Sequence, residues 1–118
     1  MTVTAAREPR TPTRTASPET FRLLRALDAR MSESLGAVLY DLVKLRASQL
    51  NGCAYCVDTH ARDLERRGVP TRTLHGVAAW QESPFFDEEQ RVALAFTETL
   101  TAGVGHVDDH LWEEAGRL

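Results

Sequence analysis

The residues best equipped for chemistry in this chain lie in one short run, Cys53-Ala54-Tyr55-Cys56-Val57-Asp58-Thr59-His60. Two thiols so close together can cycle between dithiol and disulfide, and an imidazole one helical turn further on can accept or deliver a proton near neutral pH. On an α-helix each residue turns by about 100°, so positions i, i+3, i+4 and i+7 share a face. Cys53, Cys56, Val57, His60 and Leu64 then form one stripe. Because Val57 and Leu64 are apolar, the stripe is expected to face a partly dry interior, where small polar changes act strongly on proton affinity. Cys53 stands at the helix start, where unpaired amides and the helix dipole favour the thiolate, the reactive form of a thiol.

Each of these residues also has a purely structural reading. The two cysteines could be small buried hydrophobes, and His60 could be a core histidine bonded to a backbone carbonyl. A disulfide between Cys53 and Cys56 would close too short a loop to add much stability through chain entropy, so redox chemistry is the better reason for such a bond. Asp41, flanked by Tyr40 and Leu42 in a stretch rich in core residues, could orient an imidazole or hold a relay water. It could equally be a solvated surface acid. Cys53 and Cys56 together with His106 and His110 are a donor set that zinc accepts, but the stretch between them far exceeds the roughly 12–15 residues of a zinc finger. No metal is expected. A c-type haem attachment site is excluded because Val57, and not histidine, follows Cys56.

The 118 residues make one domain-sized chain with 14 basic and 17 acidic residues and a formal net charge of −3. The basic residues are scattered, so a nucleic-acid partner is not expected. No run approaches the roughly 18 apolar residues of a membrane span, and no N-terminal apolar stretch resembles a signal peptide. A cytoplasmic location is expected, where a close cysteine pair is more often catalytic or metal-binding than a structural staple.

The elements that must position these residues are helices. Residues 1–16 are rich in Thr, Arg, Ala and Pro without apolar periodicity and read as a mobile tail, with the domain proper over residues 17–118. Glu8 and the prolines argue against a transit peptide. Ser17-Pro18 opens a helix over residues 18–31 with Phe21, Leu24, Leu27 and Met31 at helical spacing. A second helix carries Leu35, Val38, Leu39, Leu42, Val43 and Leu50 and ends at Asn51-Gly52. The third runs from about Cys53 to Arg67, with Gly68 as its stop and Pro70 just beyond. Leu74, Val77 and Ala78 mark a fourth, with Trp80 packed beside its end. Asp87-Glu88-Glu89-Gln90 has the form of a capping box and opens a fifth through Val92, Phe96 and Leu100. A sixth begins around Val107, Leu111, Trp112 and Ala115. No strand signal competes, and the fold class is all-α with about six helices.

The stretch from Leu42 to His60, and within it Ser48-Gln49-Leu50-Asn51-Gly52-Cys53-Ala54-Tyr55-Cys56-Val57-Asp58-Thr59-His60, resembles the AhpD-like branch of the carboxymuconolactone decarboxylase family. The likeness extends more loosely over residues 18–115. It implies a helical bundle that assembles into homo-oligomers and acts as an alkylhydroperoxidase. In that family the second cysteine attacks the peroxide and the first resolves the sulfenic acid, so Cys56 would be peroxidatic and Cys53 resolving. His60 would belong to the proton relay, whose carboxylate is Glu in the family and Asp41 here. Alkylhydroperoxidases often carry His between the cysteines, where this chain has Tyr55, and family members usually continue through another long helix beyond the position of Leu118. The implied partners are a hydroperoxide substrate and an external dithiol reductant. No flavin, haem or nucleotide motif is present, so no cofactor is expected. Two rival functions stand beside it: a redox-sensing or scaffold oligomer that forms the disulfide without turnover, and lactone decarboxylation as the resemblance to the family's namesake implies, a branch that does not depend on a cysteine pair.

Overall fold

The structure is a computed structural model that describes residues 13–103 and 105–118. Most of the stretch read as a tail, residues 1–12, lies outside the described residues. The described chain begins with a single helical turn, α1 (Thr13–Ala16). Every regular element among the described residues is helical: α2 (Pro18–Leu35), α3 (Ala37–Asn51), α4 (Ala54–Arg66), α5 (Thr71–Gly76), α6 (Glu88–Ala102) and α7 (Asp109–Ala115), with a 3-10 helix over Val77–Glu82. The all-α expectation is met. The helix expected around Leu74 to Ala78 divides into α5 and the 3-10 segment.

By contacts the chain divides into two units, one ending at Met31 and the other running from Ser32 to Leu118. Within the first, α2 buries no side chain and leaves Leu23, Leu24, Leu27 and Met31 exposed. No helix among the described residues is long and apolar enough to cross a membrane.

The second unit is organised around α3, which packs against α4 on one side and α6 on another. Its buried residues are Asp41, Leu42, Leu45 and Ser48. Positions 41, 45 and 48 repeat at helical spacing, so a carboxylate and a hydroxyl share a stripe with a core leucine. The Ser48 hydroxyl donates to the Lys44 carbonyl at 2.6 Å, which removes the cost of burying it unpaired. Leu42 and Leu45 join Leu64 of α4, Leu74 of α5, Val77 and Trp80 of the 3-10 segment, Phe86 just before α6, and Leu94 of α6 in one core. Burying each of these large side chains contributes roughly 1.5–3 kcal/mol relative to leaving it in water.

Two polar devices tie α6 to this core. Glu98 of α6 accepts from the Trp80 indole at 2.8 Å and from Arg46 Nε of α3 at 2.9 Å. Arg91 of α6 donates to the Trp80, Gln81 and Ser83 carbonyls at 3.2, 2.7 and 3.2 Å. Those carbonyls lie at the end of the 3-10 helix, where helical hydrogen bonding runs out, and the Trp80 carbonyl also accepts from the Ser83 amide at 3.1 Å. The expected capping box is present at the start of α6: the Gln90 amide donates to Asp87 Oδ1 at 2.8 Å, and the Asp87 amide to Gln90 Oε1 at 3.0 Å.

Candidate active site

The cysteines are placed by the way α3 ends and α4 begins. Gly52 adopts φ 68°, a left-handed conformation that L side chains avoid. Its amide donates to the Gln49 carbonyl at 3.2 Å, and the next amide, that of Cys53, donates to the Ser48 carbonyl at 3.1 Å. These two bonds form a Schellman closure, and its second bond fixes the backbone of Cys53 to the last turn of α3.

Cys53 is then the N-cap of α4, extended at φ −88° and ψ 96°, and its sulfur accepts from the Cys56 amide at 3.2 Å. Sulfur fills the place that a Ser or Asp oxygen takes at most helix starts. Cys56 sits in the first turn, its Cα 5.3 Å from that of Cys53, and the two sulfurs are bonded. Both sulfurs therefore lie at the N-terminal end of α4, where the helix dipole favours negative charge on either one once the bond is reduced. Tyr55 projects between them into solvent and is 81% exposed.

The stripe read from the sequence runs down one face of α4. Leu64 is fully buried, and Cys53, Cys56, Val57 and His60 are half-buried. Val57 packs against the core, so the His60 side of the helix faces α3. There Asp41, 5% exposed, comes up from α3 to meet it. An Asp41 carboxylate oxygen, a His60 ring nitrogen and an Asp63 carboxylate oxygen all lie within 4.8 Å of one another. Of the two readings of Asp41 open in the sequence, the solvated surface acid is the one the structure rejects.

Two residues of this cluster escaped the sequence reading. Asp63 and Arg67 follow His60 at i+3 and i+7 and so extend the same stripe. That spacing was the available signal, but the charged run Arg62-Asp63 and Glu65-Arg66-Arg67 looks like a solvated face. In the structure Arg67 Nε donates to Asp41 Oδ2 at 2.7 Å, and Arg66 pairs with Asp63 at 3.0 Å. One histidine and two carboxylates are donors that a divalent cation can use. The Asp41 carboxylate already has the Arg67 guanidinium as its counter-ion, and that positive charge disfavours a cation beside it. The alternative zinc set is not assembled. The cysteines are bonded to each other, while His106 and His110 are exposed and His110 pairs with Glu114 at 3.4 Å.

Comparison with known proteins agrees with this architecture. The sequence pattern of the carboxymuconolactone decarboxylase family matches residues 18–99. A solved structure of a protein of unknown function from Agrobacterium tumefaciens, described as a candidate antioxidant defence protein AhpD, superposes with a TM-score of 0.80 at 33% identity. That match covers 93% of this chain and 77% of the other. The uncharacterized protein YdfG of Bacillus subtilis is 30% identical over 86 residues, 72% of this chain and 58% of YdfG. The uncharacterized protein YnjA of Escherichia coli is 34% identical over 82 residues, 70% of this chain and 45% of YnjA. The chain thus spans about half the length of the curated relatives it matches.

Proposed function

The chain belongs to the carboxymuconolactone decarboxylase family and shares an AhpD-like helical fold, and from that premise we propose that it is a thiol-dependent peroxidase that reduces hydroperoxides through Cys53 and Cys56. The observation that carries the reading is the Cys53–Cys56 disulfide at the N-terminus of α4, on the same helix face as His60, with Asp41 within 4.8 Å of that imidazole.

In the reduced protein the Cys56 thiolate attacks the terminal oxygen of the hydroperoxide. The O–O bond breaks, the alkoxide leaves with a proton delivered through His60, and Cys56 becomes a sulfenic acid. The Cys53 sulfur then attacks the Cys56 sulfur, water departs, and the disulfide forms. An external dithiol returns both cysteines to thiols and is itself oxidised, so each cycle consumes one hydroperoxide and one dithiol. Asp41, within 4.8 Å of a His60 ring nitrogen, orients the imidazole in this cycle, the part a carboxylate plays behind many relay imidazoles. The two roles are those the family resemblance implies, and in keeping with them Cys53 is tied to α3 by its own backbone amide while Cys56 lies one helical turn before His60 on α4.

A reducing cytoplasm would supply the dithiol. Assembly into a homo-oligomer would cover the exposed Leu23, Leu24, Leu27 and Met31 of α2, which otherwise leave an apolar stripe in water.

The test is peroxide consumption with a dithiol supplied, measured on wild type, Cys56→Ser and Cys53→Ser. Wild type is expected to turn over and Cys56→Ser to be inactive. Cys53→Ser should reduce about one equivalent of peroxide and stop as a sulfenic acid that a dimedone probe captures. Undiminished turnover by Cys56→Ser would overturn the assignment. Disulfide formation without turnover in wild type would point to the redox-sensing reading instead, and lactone turnover surviving loss of both cysteines to the decarboxylase.

A further inference from the structure

We infer that Arg67 is a positioning residue of the thiol site: by holding one oxygen of the buried Asp41 carboxylate it fixes the carboxylate against His60 and so sets how fast the reduced cysteines react. The inference rests on the thiol chemistry proposed above and concerns a residue outside the Cys-Cys-His-Asp set.

Arg67 is placed with the same backbone device that places Cys53. It is the C-cap of α4, its amide donates to the Asp63 and Leu64 carbonyls at 3.1 Å each, and Gly68 follows at φ 88°. The Gly68 amide donates to the Glu65 carbonyl at 2.9 Å and the Val69 amide to the Leu64 carbonyl at 3.0 Å, a second Schellman closure. One end of α4 therefore carries the disulfide and the other carries the arginine, with His60 on the face between them. From that rigid end Arg67 reaches to α3 and donates Nε to Asp41 Oδ2 at 2.7 Å.

Three features make this contact more than a surface ion pair. Its acidic partner is nearly inaccessible, with a side chain 7% exposed, so the guanidinium is what compensates a buried carboxylate. The contact is a short charge-assisted hydrogen bond from a planar guanidinium, Nε to Oδ2 at 2.7 Å, which gives the carboxylate a preferred direction as well as a counter-charge. With Oδ2 held by Arg67, the carboxylate stays within 4.8 Å of a His60 ring nitrogen, a span that one bridging water can fill. Asp63 meanwhile competes for the same imidazole from within α4 and carries its own arginine, Arg66, at 3.0 Å. Without Arg67 the Asp41 carboxylate would be free to rotate, and the two acids would repel each other across His60 with only one of them neutralised.

The experiment uses the full chain, reduced and freed of reductant, with Arg67→Gln and Arg67→Lys each made in the wild-type and in the Asp41→Asn background. Two rates are read at neutral pH: oxidation of the dithiol by cumene hydroperoxide, and alkylation of the cysteines by iodoacetamide. The second reports thiol activation whether or not the protein is a peroxidase. In the wild-type background Arg67→Gln is expected to slow both rates on the order of tenfold, the usual scale for losing an outer partner of a reactive group. Arg67→Lys should recover part of the loss. In the Asp41→Asn background neither change should have further effect, because Arg67 acts through that carboxylate. A purely structural arginine would slow the two backgrounds alike. The inference is overturned if Arg67→Gln, shown folded by circular dichroism, leaves alkylation unchanged, or if its effect adds in full to that of Asp41→Asn. Should Arg67→Gln not fold, Arg67→Lys decides by the same comparison. If cumene hydroperoxide oxidises no variant, wild type included, the peroxidase reading fails, while the alkylation rates still decide the role of Arg67.

Discussion

The Asp41–Arg67 pair is lopsided in its burial, and that predicts a lopsided response to mutation. Asp41 has a side chain 7% exposed, whereas that of Arg67 is 42% exposed. Replacing Arg67 with leucine leaves a buried carboxylate without its counter-ion. Breaking a buried pair from one side costs roughly 3–5 kcal/mol, and because solvent reaches the Arg67 side the lower end applies, about 3 kcal/mol. Replacing Asp41 with asparagine leaves instead a guanidinium that can turn to water. Only a charge-assisted hydrogen bond is lost, and with one partner already in contact with solvent that is worth about 1 kcal/mol. Once Asp41 is asparagine, Arg67→Leu should cost less than about 1 kcal/mol, giving a coupling of about 2 kcal/mol between the two positions. Urea unfolding of the oxidised protein, with each single and the double variant, measures all three. Asp41→Asn proving as costly as Arg67→Leu, or the double variant showing simple additivity, would refute the reasoning.

Three further outcomes follow from the same geometry. Gly52→Ala should cost about 1–2 kcal/mol in urea unfolding purely through its left-handed backbone, because a Cβ there meets nothing within 4 Å. Gly76→Ala is its control, lacking a positive φ and meeting Ser83 Oγ at an ordinary 3.4 Å, and it should be neutral or stabilising by up to about 1 kcal/mol. Leu94→Ala removes a side chain with no exposed surface from the core shared by α3, α4 and α6, and should cost about 3–5 kcal/mol with a matching fall in the urea midpoint. Asp87→Ala takes away the acceptor of the α6 capping box and should cost about 1 kcal/mol, recovered largely by Asp87→Ser and seen as a matching shift of the thermal midpoint.

The helices were legible because their signals are local. Ser17-Pro18, Asn51-Gly52, Gly68 and Asp87 with Gln90 act within a few residues of themselves, and each marks a helix boundary in the structure at or beside the expected residue. The division between α5 and the 3-10 segment was not legible. Ala79 leaves helical geometry at φ −125° and ψ 36°, while Trp80 packs into the core and Arg91 of α6 gathers the carbonyls at the end of the segment. That arginine lies on a helix the local pattern cannot see. Asp41 was ambiguous for the same reason, since one helix in isolation does not say whether an acid beside Leu42 faces water or a neighbouring helix.

By itself the sequence determined the helical spacing, the caps, and the stripe that puts Cys53, Cys56, His60 and Leu64 on one face, since all of these follow from bond geometry within a single element. Tertiary structure alone decided that this stripe faces α3, that Asp41 is buried opposite His60, and that Arg67 and Asp63 join them. Those facts depend on how two helices pack. A charged side chain is exposed or buried according to what its neighbour offers, and Asp41 can be buried because Arg67 arrives from the far end of α4 to neutralise it.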